Sequence, residues 1–538
     1  MRGTGIWRTK SVEQSIAETD EPRSKLRKDL TTKDLTAFGV AVVIGAGIFT
    51  LTARTAGDMA GPSVSLAFIL AAVACGLAAL CYAEFASTVP VAGSAYTFSY
   101  ATFGEFIAWI IGWDLILEFA LASSVVAKGW SLYLADFIGL PTTISIGGID
   151  TDWGAVAVIG AITLTLAFGV KLSSRVSAVI TAIKVAVVLL VIIVGAFFIN
   201  TANYHPYVPA AEPNTDSDAG LQQTLFAALS GSDGSNYGWY GLLAAASLLF
   251  FAFIGFDVVA TTAEETKNPQ RSIPRGILGS LAIVTVLYVA VTVVLTGMVG
   301  YQELRTGSPL VGDGSATLAT AFEAHGITWA QTAINVGALA GLTTVVMVMM
   351  LGQTRVLFAM SRDGLIPRSW GTTNASGNPV RVTMIVGIVV AVIAALFPIG
   401  VLEQMVNIGT LFAFVLVCAG VLILRRTRPD LKRGFRVPGS PFVPILAIVA
   451  CGWLMINLSV ETWIRFVVWM LIGVVVYLLY GRRHSVLALR SRQAGQPDTV
   501  DSALAPTALV PTDSAHLDTD SALVPIDSAR TDVDSARR

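Results

Sequence analysis

Long apolar runs recur along the chain up to about residue 480, and short charged segments separate them. Most of the twelve runs hold the roughly 20 apolar residues that a helix needs to cross the hydrocarbon of a bilayer. Only 13% of the residues are charged, against about 25% in soluble domains. The sequence therefore predicts an all-α integral membrane protein with about 12 transmembrane helices. The expected spans are 35–54, 63–88, 105–136, 153–170, 176–199, 242–263, 277–300, 328–360, 382–398, 402–424, 443–459 and 463–480.

Lysines and arginines cluster in alternate loops between the predicted spans. They precede the first span and follow the fourth, sixth, eighth, tenth and twelfth, whereas residues 201–241 contain none. Lys and Arg favour the cytoplasmic loops of membrane proteins. We therefore expect both termini in the cytoplasm, an even number of spans, an extracellular loop at 201–241 and a location in the plasma membrane.

The two ends of the chain differ from the apolar region between them. Residues 1–32 are polar and charged, with no apolar stretch before a cleavage site, and are expected to form a cytoplasmic tail. Residues 481–538 repeat Asp-Ser-Ala five times among Pro, Thr and Asp, which predicts a disordered cytoplasmic tail. A regulatory role for the second tail and a neutral repeat expansion both stay open.

The composition argues against nucleic-acid binding, metal binding and catalysis. The net charge of −1 gives no sign of a nucleic-acid partner. The four cysteines all lie in apolar runs and lack the spacing of zinc ligands. The four histidines fall outside the predicted spans and form no nucleophile–base arrangement. We expect no metal, no cofactor and no enzymatic activity.

Two predicted spans contain sequence that a continuous helix disfavours. The first span has glycines at 45 and 47, and the sixth has Gly255 followed by Asp257. Each glycine lowers helix propensity by about 1 kcal/mol, although close helix packing also selects glycine in membranes. Interrupted helices in corresponding halves of a chain indicate a transporter with inverted repeats.

An interrupted helix frees backbone groups at membrane depth, and these groups need partners. The N-terminus of a half-helix favours a carboxylate, while freed carbonyls accept hydrogen bonds from an ammonium group. An amino acid supplies both charges. The two interruptions therefore favour a zwitterionic amino acid as the ligand.

Three motifs resemble the amino acid–polyamine–organocation superfamily. They are Val43–Phe49, Phe250–Asp257 with the following Asn268-Pro269, and Gly352–Pro367. The last of them is the most specific and is similar to bacterial members of the cationic amino acid transporter family. The resemblance covers about residues 30–480.

The resemblance implies a leucine-transporter-type fold with a 5+5 inverted repeat, two extra helices, and unwound helices 1 and 6. Repeat 1 would be 33–200 (helices 1–5), repeat 2 would be 242–424 (helices 6–10), and 425–480 would hold helices 11–12. The substrate would lie on the backbone of the two broken helices. The implied substrate-binding residues are Ile44, Gly45, Ala46, Gly47, Ile48, Phe251, Ala252, Ile254 and Gly255, with N–H groups of 46–48 meeting the carboxylate and carbonyls of 44, 251, 252 and 254 meeting the ammonium.

Lys184 lies inside the fifth span, about 14 Å inward from Arg175 by helical rise. Placing a charged lysine at this depth in the membrane costs about 3 kcal/mol or more. The alternative to a functional role is that the side chain snorkels over that distance to the membrane surface. In some proton-coupled relatives of the superfamily a fifth-helix lysine occupies the position of a sodium ion, and Lys184 matches it. Burial favours the neutral amine, so we expect Lys184 to couple transport to protons.

Acids also lie within the spans. Glu118 and Asp114 are four residues apart on one face of the third span. Glu118 matches a recurring acid of the cationic family and could contact a basic substrate, serve a proton path or form a structural hydrogen bond. Asp257 is interpreted as structural. Glu264 and Glu265 form either a cytoplasmic gate or a solvated face.

Met349 in the eighth span is the candidate determinant of substrate length. Animal cationic transporters tend to have a small residue at the matching place, so Met349 would shorten the pocket; packing is the alternative. If it lines the pocket, small neutral amino acids such as alanine are as plausible as arginine or lysine.

The sequence thus predicts a secondary active amino-acid transporter that works by alternating access, with amino acids, protons and the lipid bilayer as partners. A polyamine carrier or an amino acid/amine exchanger of the same superfamily is the alternative, and a channel or a receptor without flux is less favoured. Substrate identity, stoichiometry and oligomeric state stay open.

Overall fold

Helices occupy most of the chain, and their bounds follow the apolar runs of the sequence. The structure is a computed structural model that describes residues 29–88, 94–146, 148–169, 174–213, 219–232, 235–262, 266–312, 314–374 and 378–487. Most of the N-terminal tail, the Asp-Ser-Ala repeats, and the pair Glu264 and Glu265 lie outside the described residues.

The first half of the described chain contains seven α-helices, two of which continue through short π- or 3₁₀-helical turns. These elements are α1 (Thr32–Val43), a π-helix (Gly47–Leu51), α2 (Thr52–Thr55), a π-helix (Ala56–Ala60), a 3₁₀-helix (Gly61–Ser63), α3 (Val64–Thr88), α4 (Ser94–Thr102), α5 (Glu105–Ile138), β1 (Thr143–Ile146), β2 (Ile149–Asp152), α6 (Trp153–Ala167), α7 (Ser174–Gly195) and 3₁₀-helices at Ala196–Phe198 and Thr201–Tyr204.

The second half begins with short elements in the predicted loop and continues with long helices. They are β3 (Glu212–Pro213), α8 (Ala219–Gln222), α9 (Leu225–Ser230), β4 (Ser235–Asn236), α10 (Gly238–Leu249), a 3₁₀-helix (Phe250–Phe253), α11 (Val258–Thr261), α12 (Pro269–Met298), α13 (Leu318–Ala324), α14 (Thr328–Arg362), a 3₁₀-helix (Arg368–Gly371), α15 (Val380–Leu396), α16 (Ile399–Thr427), α17 (Phe442–Ile456), α18 (Val460–Val476), a π-helix (Tyr477–Gly481) and α19 (Arg482–His484).

Eight helical stretches of the described chain are long and apolar enough to cross a membrane. One of them, Thr32–Thr88, has 57 residues and contains the first two predicted spans. The fourth, ninth and eleventh predicted spans correspond to shorter apolar helices, α6, α15 and α17. The helical, multi-pass character predicted from the apolar runs thus agrees with the structure.

Several elements have no counterpart among the predicted spans. The helices α4 and α13 are short and carry no long apolar run. A hairpin pairs β1 with β2 from Thr143 opposite Asp152 to Ile146 opposite Ile149. Asp152 then caps α6, because its side chain accepts a hydrogen bond from the N–H of Ala155 at 3.0 Å. Hydropathy alone gives no signal for such short elements.

The long helices pack around the two interrupted segments. The helix α5 runs along α14 and α16, and α12 lies against α1, α3 and α7. The π-helix at Gly47–Leu51 touches the 3₁₀-helix at Phe250–Phe253. The segments that the sequence singled out therefore lie together inside the helix bundle.

The outer faces of the helices carry exposed apolar side chains. Val73 is 56% exposed, Val286 69% and Val449 60%, on three different helices. Soluble proteins rarely expose apolar side chains over such continuous surfaces. These faces are suited to contact lipid.

Glu84, at the end of α3, joins that helix to α16 and to the segment after it. Its buried carboxylate accepts hydrogen bonds from Arg425 Nε at 2.8 Å and from the N–H of Val437 at 2.7 Å. Arg433 Nε lies 3.5 Å away, and the Arg433 side chain is only 5% exposed. One carboxylate thus compensates two guanidinium groups on the predicted cytoplasmic side.

Replacing Glu84 with Ala should lower the thermal stability of the detergent-purified protein strongly. Arg433 would be buried without its counter-charge, and breaking a buried pair costs about 3–5 kcal/mol. Size-exclusion chromatography after heating measures the loss. Glu461→Ala is the matched control, because its partner Arg465 is 36% exposed and an exposed pair contributes about 0.2–1 kcal/mol. Equal losses in both variants would contradict this role.

Candidate functional site

The first interruption begins where α1 ends at Val43. Ile44 has an extended backbone with φ −68° and ψ 92°, so the α-helical hydrogen-bond pattern stops there. The chain resumes at Gly47–Leu51 with the wider turns of a π-helix. Single π turns inside helices often occur at functional sites.

The second interruption follows α10. The chain tightens into a 3₁₀-helix at Phe250–Phe253 and becomes extended at Ile254, where ψ is 140°. Gly255 then has φ +114°, a conformation that residues with a side chain rarely adopt. The glycine that weakened the helix prediction is therefore the residue at which the chain direction changes.

The two interruptions are in direct contact. A Cβ added at Gly47 would lie 2.2 Å from the Cα of Ala252. A Cβ added at Gly255 would lie 2.8 Å from Val42 Cγ1 and 3.7 Å from Met349 Cε. Two backbones thus approach closely, and the buried Met349 side chain lies beside the second interruption.

Lys184 reaches the first interruption from α7. Its buried Nζ donates to the carbonyl oxygen of Ala41 at 2.8 Å and to that of Ile44 at 3.2 Å. The stem of the side chain lies against Gly341 of α14, where an added Cβ would be 2.9 Å from Lys184 Cγ. The lysine therefore supplies hydrogen-bond donors to carbonyls at the end of α1.

Polar side chains from three other helices hold further carbonyls near the interruptions. Tyr288 OH donates to the carbonyl oxygen of Val43 at 2.7 Å, and Tyr133 OH donates to that of Phe49 at 2.6 Å. Asn407 Nδ2 donates to the carbonyl oxygens of Ser247 at 2.9 Å and Leu248 at 3.0 Å.

Sequence analysis missed Tyr288, Tyr133 and Asn407. Each is fully buried, and each is a polar residue within a long apolar helix. Polar side chains inside membrane spans usually face the bundle interior and find a partner there. That placement was the available signal, although it could not identify the partner.

The predicted acids Asp114, Glu118 and Asp257 are electrostatic neighbours of one another in the order Asp114–Glu118–Asp257. Asp114 and Glu118 are both buried on α5 and face α16, where Thr410 lies within hydrogen-bonding reach of Glu118. Asp257 is an electrostatic neighbour of Glu118. Among the described residues neither Asp114 oxygen has a hydrogen-bond partner, nor does Asp257 Oδ1.

Arg54 and Glu403 form an ion pair between the first helical stretch and α16. Glu403 is fully buried and Arg54 is 15% exposed. The pair lies beyond the first interruption, toward the predicted extracellular side. It therefore connects the end of the interrupted segment to the helix that carries Asn407.

The predicted backbone-binding residues are brought together, but some of their carbonyls already have partners. Ile44 accepts from Lys184, and Phe251 accepts from the N–H of Ile254 at 3.1 Å. A carbonyl oxygen has two lone pairs, so each retains capacity for a further bond. Lys128, on α5, contacts Asp152 at 3.3 Å and lies apart from this group.

The arrangement of these groups is suited to binding a ligand. Buried backbone groups and a small number of amide, hydroxyl and charged side chains converge on two interrupted helices. Within the described part of the chain, no group of three or more His, Cys, Asp or Glu residues is arranged to hold a metal.

Comparison with known proteins gives the same family as the sequence motifs. Residues 30–479 match the amino acid permease family. The branched-chain amino acid permease BcaP of Bacillus subtilis is 42% identical over 500 residues, which cover 90% of this chain and 100% of that protein.

Two further relatives carry different names. The methylthioribose transporter of Bacillus subtilis is 40% identical, with 90% of this chain and 99% of that protein covered. The vacuolar cationic amino acid transporter 4 of Arabidopsis thaliana is 30% identical, with 88% and 94% covered. These relatives are transporters, and the family match spans most of the chain. The chain therefore belongs to the amino acid permease family, as its motifs predicted, and is a multi-pass membrane protein.

Proposed function

We propose that this permease is a secondary active amino-acid transporter that works by alternating access around its two interrupted helices. The observation that carries the proposal is the contact between the two interruptions, at Gly47 and Ala252. Interrupted helices in corresponding halves bring free backbone groups to one place inside the bundle. The proposed architecture is the 5+5 inverted repeat with two extra helices and twelve crossings, with both termini in the cytoplasm and the protein in the plasma membrane.

The substrate in this proposal lies on the backbone of both segments. The N–H groups of Ala46, Gly47 and Ile48 begin a new helical stretch, where N–H groups lack intrahelical acceptors and favour a carboxylate. The carbonyls of Phe251 and Ile254 would accept from the ammonium. Those of Ile44 and Ala252 complete the acceptor set, and Gly45 and Gly255 give the backbone the freedom it needs.

The amino acid would be small and neutral, such as alanine, or cationic, such as arginine or lysine. Met349 Cε lies close to Gly255, which supports a role for Met349 in limiting substrate length. The names of the relatives include branched-chain and cationic amino acids, so both classes belong in the proposal. We propose that Glu118 contacts the basic side chain of a substrate or takes up a proton.

We further propose that Lys184 couples transport to protons. A protonated lysine donates to the carbonyls of Ala41 and Ile44 as charge-assisted hydrogen bonds, which are about twice as strong as neutral ones. Loss of the proton in a buried site would weaken both bonds and release the end of α1. The protonation state of one side chain would thereby bias the conformation of the interrupted helix.

A polyamine carrier or an amino acid/amine exchanger is the second candidate. The grouping of Asp114, Glu118 and Asp257 favours it, because a multiply charged amine needs several acids. The methylthioribose transporter among the relatives adds an uncharged substrate to the comparison. Uptake of a labelled amino acid by the purified protein in liposomes separates these candidates. The competitors are alanine, leucine, arginine, putrescine and methylthioribose. Competition by putrescine alone would contradict the leading proposal.

Replacing Lys184 with Ala should abolish proton-driven accumulation of the amino acid in liposomes, because no titrating donor would then hold the end of α1. Lys184→Gln keeps donors but cannot release a proton, so it should bind substrate and still fail to accumulate it. Lys128→Ala is the matched control and should leave the response to a proton gradient intact. Wild-type uptake that depends on sodium and not on pH would refute this role.

Replacing Met349 with Ser should shift uptake toward longer or basic amino acids, since the shorter side chain enlarges the space beside Gly255. The measurement is the ratio of arginine to alanine uptake, with an expected rise of roughly tenfold, equivalent to about 1.4 kcal/mol. Met347→Ser is the control, because two residues along a helix turn the side chain by about 200°. An unchanged ratio would mean that Met349 lies outside the pocket.

A further inference from the structure

A cavity of about 120 Å³ lies on the predicted extracellular side of the two interruptions. Its walls come from four distant parts of the chain: Met59 after the first interruption, the segment around Thr224 and Ser235, Gln404 of α16, and Asn457 after α17. This is well above the space that one water molecule needs, so the cavity can hold a small solute.

Backbone pairing fixes two of these walls against each other. The N–H of Leu225 donates to the carbonyl of Leu458 at 2.9 Å, and the N–H of Val460 donates to that of Gln223 at 3.0 Å. Thr224 and Ser459 form a β-bridge between these bonds. The predicted loop at 201–241 is thus attached to the turn between α17 and α18, and the cavity is built by that attachment.

The described lining is partly polar and is uncharged. Amide and hydroxyl side chains lie beside apolar ones that include Met59, Leu248 and Leu458, and none of the described lining residues is charged. Ser235 Oγ is inaccessible to solvent and has no hydrogen-bond partner among the described residues. A buried hydroxyl without a partner is unfavourable, and rotation of the Ser235 side chain would let it bond to a ligand in the cavity.

Gln404 adds an oriented donor. Its Oε1 accepts from Ser459 Oγ at 2.7 Å and from Thr462 Oγ1 at 2.9 Å. The oxygen of the amide is therefore occupied, so a bond from Gln404 to a solute in the cavity would come from its N–H₂ group. Gln404 follows Glu403 directly, and Glu403 pairs with Arg54.

The cavity also borders α10, the helix that precedes the second interruption. Leu248 forms part of its wall, and the carbonyl of Leu248 is one of the two that Asn407 holds. Leu248 is two residues before the 3₁₀-helix at Phe250. A solute bound in the cavity would thus lie next to the segment that precedes the proposed transport site.

We propose that this cavity is an outer binding subsite for a small, net-neutral solute with both donors and acceptors, such as alanine or serine. The described lining residues offer no carboxylate to arginine or to a polyamine. That the solute is the transported amino acid rests on the proposed function. The existence of the subsite rests only on the residues that line the cavity. Binding there would concentrate the solute beside the interrupted helices.

The number of labelled alanine molecules bound per chain tests the subsite in the full-length, detergent-purified protein. The wild type should bind two, and Ser235→Leu, which fills the cavity, should bind one. Ser230→Leu is the matched control, because Ser230 is exposed on the same segment and outside the lining; it should bind two.

Other outcomes separate the two proposals. A single wild-type alanine that Ser235→Leu removes would support the subsite and count against alanine at the interrupted helices. A single alanine that Ser235→Leu retains, or no bound alanine in the wild type, would overturn the subsite.

A second measurement is independent of stoichiometry. The four native cysteines are buried, so Asn236→Cys introduces one accessible thiol at the cavity wall. A membrane-impermeant thiol reagent should modify it, and saturating alanine should slow that reaction by about tenfold or more, while arginine should not. A thiol that alanine leaves unprotected would contradict occupancy of the cavity.

Discussion

Every backbone carbonyl that leaves a helix inside the bilayer must find a hydrogen-bond donor, because no water is there to supply one. At the two interruptions this requirement is met by side chains from other helices. Lys184 and Tyr288 hold the end of α1, Tyr133 holds Phe49, and Asn407 holds the end of α10. The helices that carry these donors are thereby tied to the interrupted segments. The positions of α5, α7, α12 and α16 around the centre of the bundle follow from the same requirement.

The donors differ in one physical respect that bears on transport. The hydroxyls and the amide keep their hydrogen-bonding character over a wide pH range, whereas a lysine changes its charge when it loses a proton. Only the hydrogen bonds from Lys184 are therefore sensitive to protonation, among the donors to these interruptions that the structure describes. The other donors do not change with pH in this way. In the proposed function, the protonation state of Lys184 biases the conformation of α1, which would account for a buried cation where apolar residues would cost less.

Close backbone approach sets the size of the central space. Gly47 against Ala252 leaves no room for a side chain, and Gly255 brings the backbone beside Met349. In the proposed function, recognition depends mainly on N–H and C=O groups, which any amino acid can use. Discrimination among substrates would then come from the few side chains at the edge, for which Met349 and Glu118 are proposed. The relatives of this chain are named for branched-chain amino acids, for cationic amino acids and for methylthioribose. A site built mainly from backbone groups is compatible with that range.

Much of this protein could be predicted from its sequence alone, because helix formation in a membrane depends on local composition. Apolar length predicted the helices, and the glycines at 45, 47 and 255 lie where the structure interrupts them. The functional role predicted for Lys184 from its depth stays a prediction. The sequence could not predict which side chains satisfy the freed carbonyls. Tyr288 lies 245 residues from Val43, and a donor that distant is chosen by packing rather than by pattern. The hairpin at β1–β2 and the outer cavity likewise required the tertiary structure, since short strands and walls drawn from four distant segments leave no periodic signal. The sequence by itself determined where the helices break, and the tertiary structure decided what meets them there, because hydropathy acts locally whereas hydrogen-bond partners are selected across the whole bundle.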